Sequence, residues 1–177
     1  MKGGLRMATH DRETTIPPQT RIGHIHLTVA DLNRSLAFYR DLLGFAVTMR
    51  AGGSAVFLSA GGYHHHIGLN TWAGKGASPP PPGHTGLYHF AILYPNRHAL
   101  AKALKRLLDA HYPLQGTSDH GVSEAIYLAD PDGNGVELYV DRPQETWPRD
   151  ADGTLKMDGR RALDVDNLLS VLDHEES

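Results

Sequence analysis

Two histidines occupy matching places in two short apolar runs, and an acid sits in a third. His24 lies within Ile22-Gly23-His24-Ile25-His26-Leu27, His89 within Leu87-Tyr88-His89-Phe90-Ala91-Ile92, and Glu137 within Gly135-Val136-Glu137-Leu138-Tyr139-Val140. A carboxylate in an apolar strand is expensive unless it is partnered. Imidazole nitrogen together with carboxylate oxygen is donor chemistry that divalent cations accept. A lone strand histidine is most often a hydrogen-bonded core or rim residue. Two at repeat-equivalent positions, accompanied by the acid, point to a metal site. His26 shares a face with His24 and offers the same chemistry in a shifted register.

Further histidines and a tyrosine lie near these runs. His64-His65-His66 stand in a row, His120 follows Asp119, and Tyr127 lies ten positions before Glu137. Each also has a plain reading: a hydrated strand end, a surface turn and an ordinary core position. Strict strand alternation would put His64 and His66, rather than His65, on the face of Gly68. His84, His98 and His111 read as linker or helix-surface residues.

Elements that position these groups follow from the periodicity. Ile22 to Val29 alternates as a strand, with His24, His26 and Thr28 on one face and Ile25, Leu27 and Val29 on the other. Asp31 is a helix N-cap and Gly44 a stop, with Leu32, Leu36, Tyr39 and Leu43 as the inner stripe. Strands then run over Phe45 to Arg50, Ser54 to Ser59 and roughly His64 to Trp72. Residues 73–86 hold four consecutive prolines (Pro79 to Pro82) and several glycines, which makes an extended linker. The plan then repeats: a strand over Leu87 to Leu93, a helix from Asn96 to about His111, and strands near Leu114 to Thr117, Ser123 to Ala129 and Gly135 to Val140. Asp130-Pro131-Asp132-Gly133-Asn134-Gly135 is a tight turn. The chain thus divides into a polar disordered lead (1–20), a first βαβββ module (21–72), the linker (73–86), a second βαβββ module (87–141) and a polar tail with a short C-terminal helix (142–177). Internal repetition of this kind fixes architecture. Met7 offers a second start besides Met1.

Composition narrows the functional classes. A formal charge of −3 gives no basic surface for nucleic acid and no polybasic membrane patch. No apolar run approaches the roughly 18 residues of a membrane span. Cysteine is absent, which removes disulfides and thiolate metal sites and suits a reducing cytoplasm.

Two strand-helix-three-strand modules of this length resemble the vicinal oxygen chelate superfamily. That group contains glyoxalase I, bleomycin- and fosfomycin-resistance proteins, methylmalonyl-CoA epimerase and extradiol dioxygenases. The most specific matching words are Val29-Ala30-Asp31-Leu32 with Ser35, Phe38 and Tyr39, and Asp130-Pro131-Asp132-Gly133-Asn134 followed by Glu137-Leu138. The resemblance implies an α+β fold of two paired modules forming a cupped, barrel-like mixed sheet around a divalent metal. It also implies ligands on the first and last strands of the modules: His24, His89 and Glu137. The fourth such position is Gly68, which has no side chain to coordinate with. Two imidazoles and one carboxylate form the facial set associated with non-haem Fe(II), although Mn(II) and Zn(II) accept the same donors.

Glycine at position 68 argues against glyoxalase and epimerase chemistry, which uses four protein ligands. A fosfomycin-type transferase must hold a phosphonate with Lys or Arg. Between Leu107 and Asp141 there is neither, and between Ala51 and Asn96 only Lys75. Extradiol ring-cleaving dioxygenases match better. By that resemblance His65 handles the proton of the bound oxygen species, while His120 and Tyr127 hydrogen-bond substrate oxygens. The implied partners are a small aromatic diol and dioxygen, and the implied assembly is a homodimer. The alternatives are a Mn(II)- or Zn(II)-dependent thiol transferase or lyase, and a metal-free drug-binding resistance protein.

Overall fold

A computed structural model describes residues 15–156 and 161–173. The expected disordered lead lies, over residues 1–14, outside the described residues. Among the described residues, eight strands form two four-stranded mixed sheets, cupped and not closed. The first sheet contains β1 (Ile25–Thr28), β2 (Ala46–Ala51), β3 (Ala55–Ser59) and β4 (Ile67–Asn70), in the order β1-β4-β3-β2. The second contains β5 (His89–Leu93), β6 (Leu114–Asp119), β7 (Ser123–Ala129) and β8 (Gly135–Asp141), in the matching order β5-β8-β7-β6. In each sheet the first strand runs parallel to the last and the remaining pairs are antiparallel.

The register reproduces the repeat. Ile25 pairs with Ile67 and His26 with Gly68, while His89 pairs with Gly135 and Ala91 with Glu137. Gly68 and Glu137 therefore sit at equivalent rungs of their sheets, as the sequence overlay requires.

Several element bounds differ from the sequence reading. The strand expected from Ile22 begins at Ile25, and the one expected from His64 begins at Ile67. The His64–His66 segment is instead held by turn contacts: the His66 Nδ1 lies 3.1 Å from Ser59 Oγ and accepts from the Ala60 N–H at 3.3 Å. The first helix starts as α1 (Leu32–Leu36), with the Asp31 side chain accepting from the Arg34 N–H, and then widens into a π-helical stretch, Ala37–Leu42. The wider turn, closed by the Leu43 N–H on the Phe38 carbonyl, buries Phe38 and Tyr39 although they are neighbours in sequence. The second helix, α2 (Arg97–Asp109), is capped by Asn96 and buries Leu100, Ala103, Leu104 and Leu107 at helical spacing. The tail helix is α3 (Val165–Ser170), which docks Leu168 against the core.

The two modules are tied together on their helical sides. Tyr39 packs on Phe90 with ring centroids 6.4 Å apart, and its hydroxyl donates to Asp130 Oδ2 at 2.7 Å. Phe38 packs on Tyr112, Arg34 pairs with Asp132, and Arg106 donates to the Leu43 carbonyl. Burial, reinforced by the Asp130 charge, pushes the Tyr39 hydroxyl far above the usual phenol range, so it remains a donor. Asp130 is buried and also accepts from the Asp132 and Asn134 N–H groups and the Asn134 side-chain amide. Tyr39→Phe removes one charge-assisted bond to this buried carboxylate and is expected to cost about 1.5–3 kcal/mol. Urea denaturation of the variant measures that loss.

Candidate metal centre and proton relay

β5 and β8 lie side by side and run parallel, which sets the spacing of the second-module groups. His89 Nε2 and Glu137 Oε2 are 3.0 Å apart, with the two side chains about 32% and 13% exposed. The other carboxylate oxygen, Oε1, accepts from the Tyr127 hydroxyl at 3.0 Å. Tyr127 and Glu137 pair across β7 and β8, so their side chains share a face. His120, in the turn between β6 and β7, reaches the Tyr127 hydroxyl through Nε2 at 2.7 Å. An ionised carboxylate only accepts, so Tyr127 donates to Glu137 and its oxygen receives the His120 Nε2–H. That network assigns the His120 tautomer. Three of the residues singled out in the sequence, His120, Tyr127 and Glu137, thus form one chain ending at His89.

Three members of this chain, His89, Tyr127 and His120, line a cavity of about 470 Å³, bounded also by Tyr88, Gly116 and Ser118 among others. None of its lining residues is a Lys or Arg. Ser118 was not singled out in the sequence. Its hydroxyl is buried in the cavity wall without a hydrogen-bond partner. A lone serine on a polar strand carries no periodic signal that would mark it.

In the first sheet, the His24 and His65 rings lie 4.4 Å apart, and His65 also meets the edge of Phe57 at 5.0 Å. His65 reaches this face because the strand starts two residues after it, so alternation does not apply to it. Partial dehydration, helped by the neighbouring imidazoles of His24 and His64, holds His65 below the ordinary histidine range. His26 fills the space over Gly68, where an added Cβ would come within 2.9 Å of its ring, and packs against Phe57 and Trp72. His64 Nδ1 lies 2.7 Å from His65 Nδ1, and His66 turns away to Ser59.

The donor chemistry suits a divalent metal. His89 Nε2 and Glu137 Oε2, 3.0 Å apart, are an imidazole nitrogen and a carboxylate oxygen of the kind that would hold such an ion. Among the described residues, however, no three His, Asp or Glu side chains converge closely enough to hold an ion. His24 does not join His89 and Glu137 within one chain. The chain presents two donors on one sheet and the third expected donor on the other.

Comparison with known proteins fits this picture. Over 156 residues the chain is 44% identical to the catechol-2,3-dioxygenase of Bacillus subtilis (strain 168), covering 88% of this chain and 53% of that protein. It is 28% identical over 137 residues to an iron-dependent extradiol dioxygenase of Rhodococcus jostii (strain RHA1), covering 71% and 46%. The chain thus spans about half the length of these two relatives. A glyoxalase/dioxygenase from Nostoc punctiforme shares the fold, with a TM-score of 0.60 at 21% identity over 73% of this chain and 98% of that one. Residues 21–138, the span of both modules, match the model of one family. With its two repeated modules, their paired registers and that match together, the chain belongs to the Glyoxalase/Bleomycin resistance protein/Dioxygenase superfamily.

Proposed function

We propose that the protein is an Fe(II)-dependent extradiol-type dioxygenase, with His24, His89 and Glu137 as the metal ligands. Its substrate is a catechol-like small aromatic, opened beside its two hydroxyls with both atoms of dioxygen incorporated. The observation that carries this reading is the continuous chain from His120 through Tyr127 and Glu137 to His89 on the wall of an open cavity. The similarity to a catechol-2,3-dioxygenase and to an iron-dependent extradiol dioxygenase supports it. The cavity's lack of Lys and Arg favours a neutral diol over an anionic substrate. Mn(II) and Zn(II) remain the alternative ions for the same donors. The cysteine-free composition suits a cytoplasmic enzyme.

Iron held by these residues would supply the Lewis acidity that brings loss of the diol protons within reach of neutral pH. The chain's own residues do the rest. Glu137 is oriented by Tyr127, so its other oxygen, Oε2, keeps a fixed direction beside His89. His120 and Tyr127 hold a polar edge along which a substrate hydroxyl is positioned and its proton received. His65, neutral near pH 7, is suited to take up and return a proton on the side of His24.

Tyr127→Phe is expected to lower iron affinity or turnover by about 10–100-fold, the usual effect of losing a partner that orients a ligand. Titration with Fe(II) and steady-state kinetics separate the two. His65→Ala is expected to slow turnover by about 100-fold or more with iron content unchanged. An equal fall in iron content would assign it to the metal's surroundings instead. The function itself is tested by anaerobic purification, metal analysis and oxygen uptake on a panel of catechols. Stoichiometric iron, oxygen consumption and a coloured ring-fission product are expected. A panel that yields neither uptake nor product contradicts the reading.

A further inference from the structure

Ser118 stands apart from the other polar groups around the cavity. Its side chain lines the wall, its hydroxyl is buried, and among the described residues nothing donates to it or accepts from it. His120, Tyr127 and Glu137 all have partners in one another. A serine hydroxyl can both donate and accept. Left unpaired away from water it costs free energy and calls for an explanation.

The strand registers say which way it faces. Residues paired directly across neighbouring strands share a face of the sheet, as do residues two apart along a strand. Glu137 pairs with Tyr127, Tyr127 with Gly116, and Ser118 with Ala125. Ser118 therefore lies on the face of Glu137 and Tyr127, and His120, two residues further on, reaches that face as well. The positions between Ser118 and Tyr127 hold only Gly116 and Ala125, so no long side chain closes the gap. At Gly116 even an added Cβ would meet nothing within 4 Å. One cavity thus runs from His89 and Tyr127 to Ser118.

Spacing and charge decide what can pair with the hydroxyl. β8, β7 and β6 are successive neighbours, so β6 lies two strand spacings, about 10 Å, from the strand of Glu137. A diol held beside His89 and Glu137 keeps its two oxygens at that near end. Its ring extends toward β6, and a substituent para to one hydroxyl is the part of the molecule directed at Ser118. No Lys or Arg lines the cavity, so a carboxylate there would lose water without gaining a counter-charge. A hydrocarbon substituent would leave the serine unpaired.

We infer that Ser118 is a specificity residue whose hydroxyl reads a neutral hydrogen-bonding group, a hydroxyl or carbonyl oxygen, on the far side of a catechol ring. This rests on the diol binding beside His89 and Glu137, as proposed above.

Ser118→Ala supplies the test. In urea denaturation without metal or diol, the variant is expected to match or exceed wild type, because it removes a buried hydroxyl that has no partner. A clear loss of stability would give the hydroxyl a structural bond and overturn the proposal. Binding is read by anaerobic calorimetry on iron-loaded protein with three catechols that carry hydroxymethyl, methyl or carboxylate para to one hydroxyl. Wild type is expected to bind the hydroxymethyl compound about 10-fold or more tightly than the methyl compound, and the carboxylate most weakly. Ser118→Ala is expected to lose that preference with its affinity for the methyl compound unchanged. Equal affinities in wild type, a carboxylate bound most tightly, or an equal loss for all three in the variant would overturn the role of Ser118 while leaving the diol site in place. Wild-type protein that binds none of the three would overturn the diol site itself, and this inference with it.

Discussion

His89→Ala and Glu137→Ala, made separately, are each expected to abolish iron binding and ring cleavage while the chain remains folded. Both side chains are partly exposed, and His89 lines a cavity rather than the core, so their loss creates little buried void. A side-chain hydrogen bond so placed contributes about 0.5–1.5 kcal/mol to stability. Its contribution to the metal is of another order. Removing a partner that merely orients a ligand costs about 10–100-fold in metal affinity or activity, and removing the ligand should exceed that. Glu137→Ala also deprives the Tyr127 hydroxyl of its acceptor and so loosens the polar edge facing the substrate. Metal content and thermal denaturation on the same samples separate the outcomes: iron lost with little change in melting temperature is expected. Full iron content in either variant would remove that residue from the ligand set.

Gly135→Ala is expected to damage the same site from the opposite direction, through the backbone. A Cβ at this position would lie 2.2 Å from the Tyr88 carbonyl oxygen and 2.9 Å from the His89 Cβ. Neither contact is the end of a flexible side chain, so β5 and β8 must separate at the rung where His89 pairs with Gly135. Overpacking that forces a backbone shift costs about 1–3 kcal/mol, occasionally more, and a contact this short with backbone puts the substitution at the upper end. It should also move His89 away from Glu137, lowering iron affinity even in the fraction that folds. Gly116→Ala is the control. Gly116 lies in the wall of the same cavity, and an added Cβ meets nothing within 4 Å. Urea denaturation should find the control near wild type and Gly135→Ala strongly destabilised. Similar stabilities for the two would refute the steric account.

The repeat was the most legible feature of the sequence, because each module needs the same alternation and the same helix stripe to bury one face. Overlaying His24 on His89 placed Gly68 opposite Glu137, and the strand registers follow that overlay. The link from Tyr127 to Glu137 was legible only through the family resemblance, which implies a tyrosine ten positions before the acid; the cross-strand pairing of the two gives that spacing its geometry. Local departures were not legible. Ser59 and Ala60 hold His66 in a turn, so β4 starts late and His65 escapes the alternation that would have turned it away from Gly68's face. The π-helical turn at Ala37–Leu42 lets Phe38 and Tyr39 be buried together, which a regular helical stripe does not provide. Periodicity also says nothing about which faces of two sheets meet. That was decided by pairs far apart in sequence, such as Tyr39 with Asp130 and Arg34 with Asp132, which join the modules on their helical sides and leave the histidine faces open.

The proposed chemistry is tested most directly by the fate of dioxygen. Iron-loaded protein given a catechol under isotopically heavy dioxygen should release one ring-opened product carrying two heavy oxygen atoms, with the ring broken outside the pair of hydroxyl-bearing carbons. A product broken between those carbons, a product with no heavy oxygen, or unchanged catechol after prolonged incubation with fully metallated protein would contradict it.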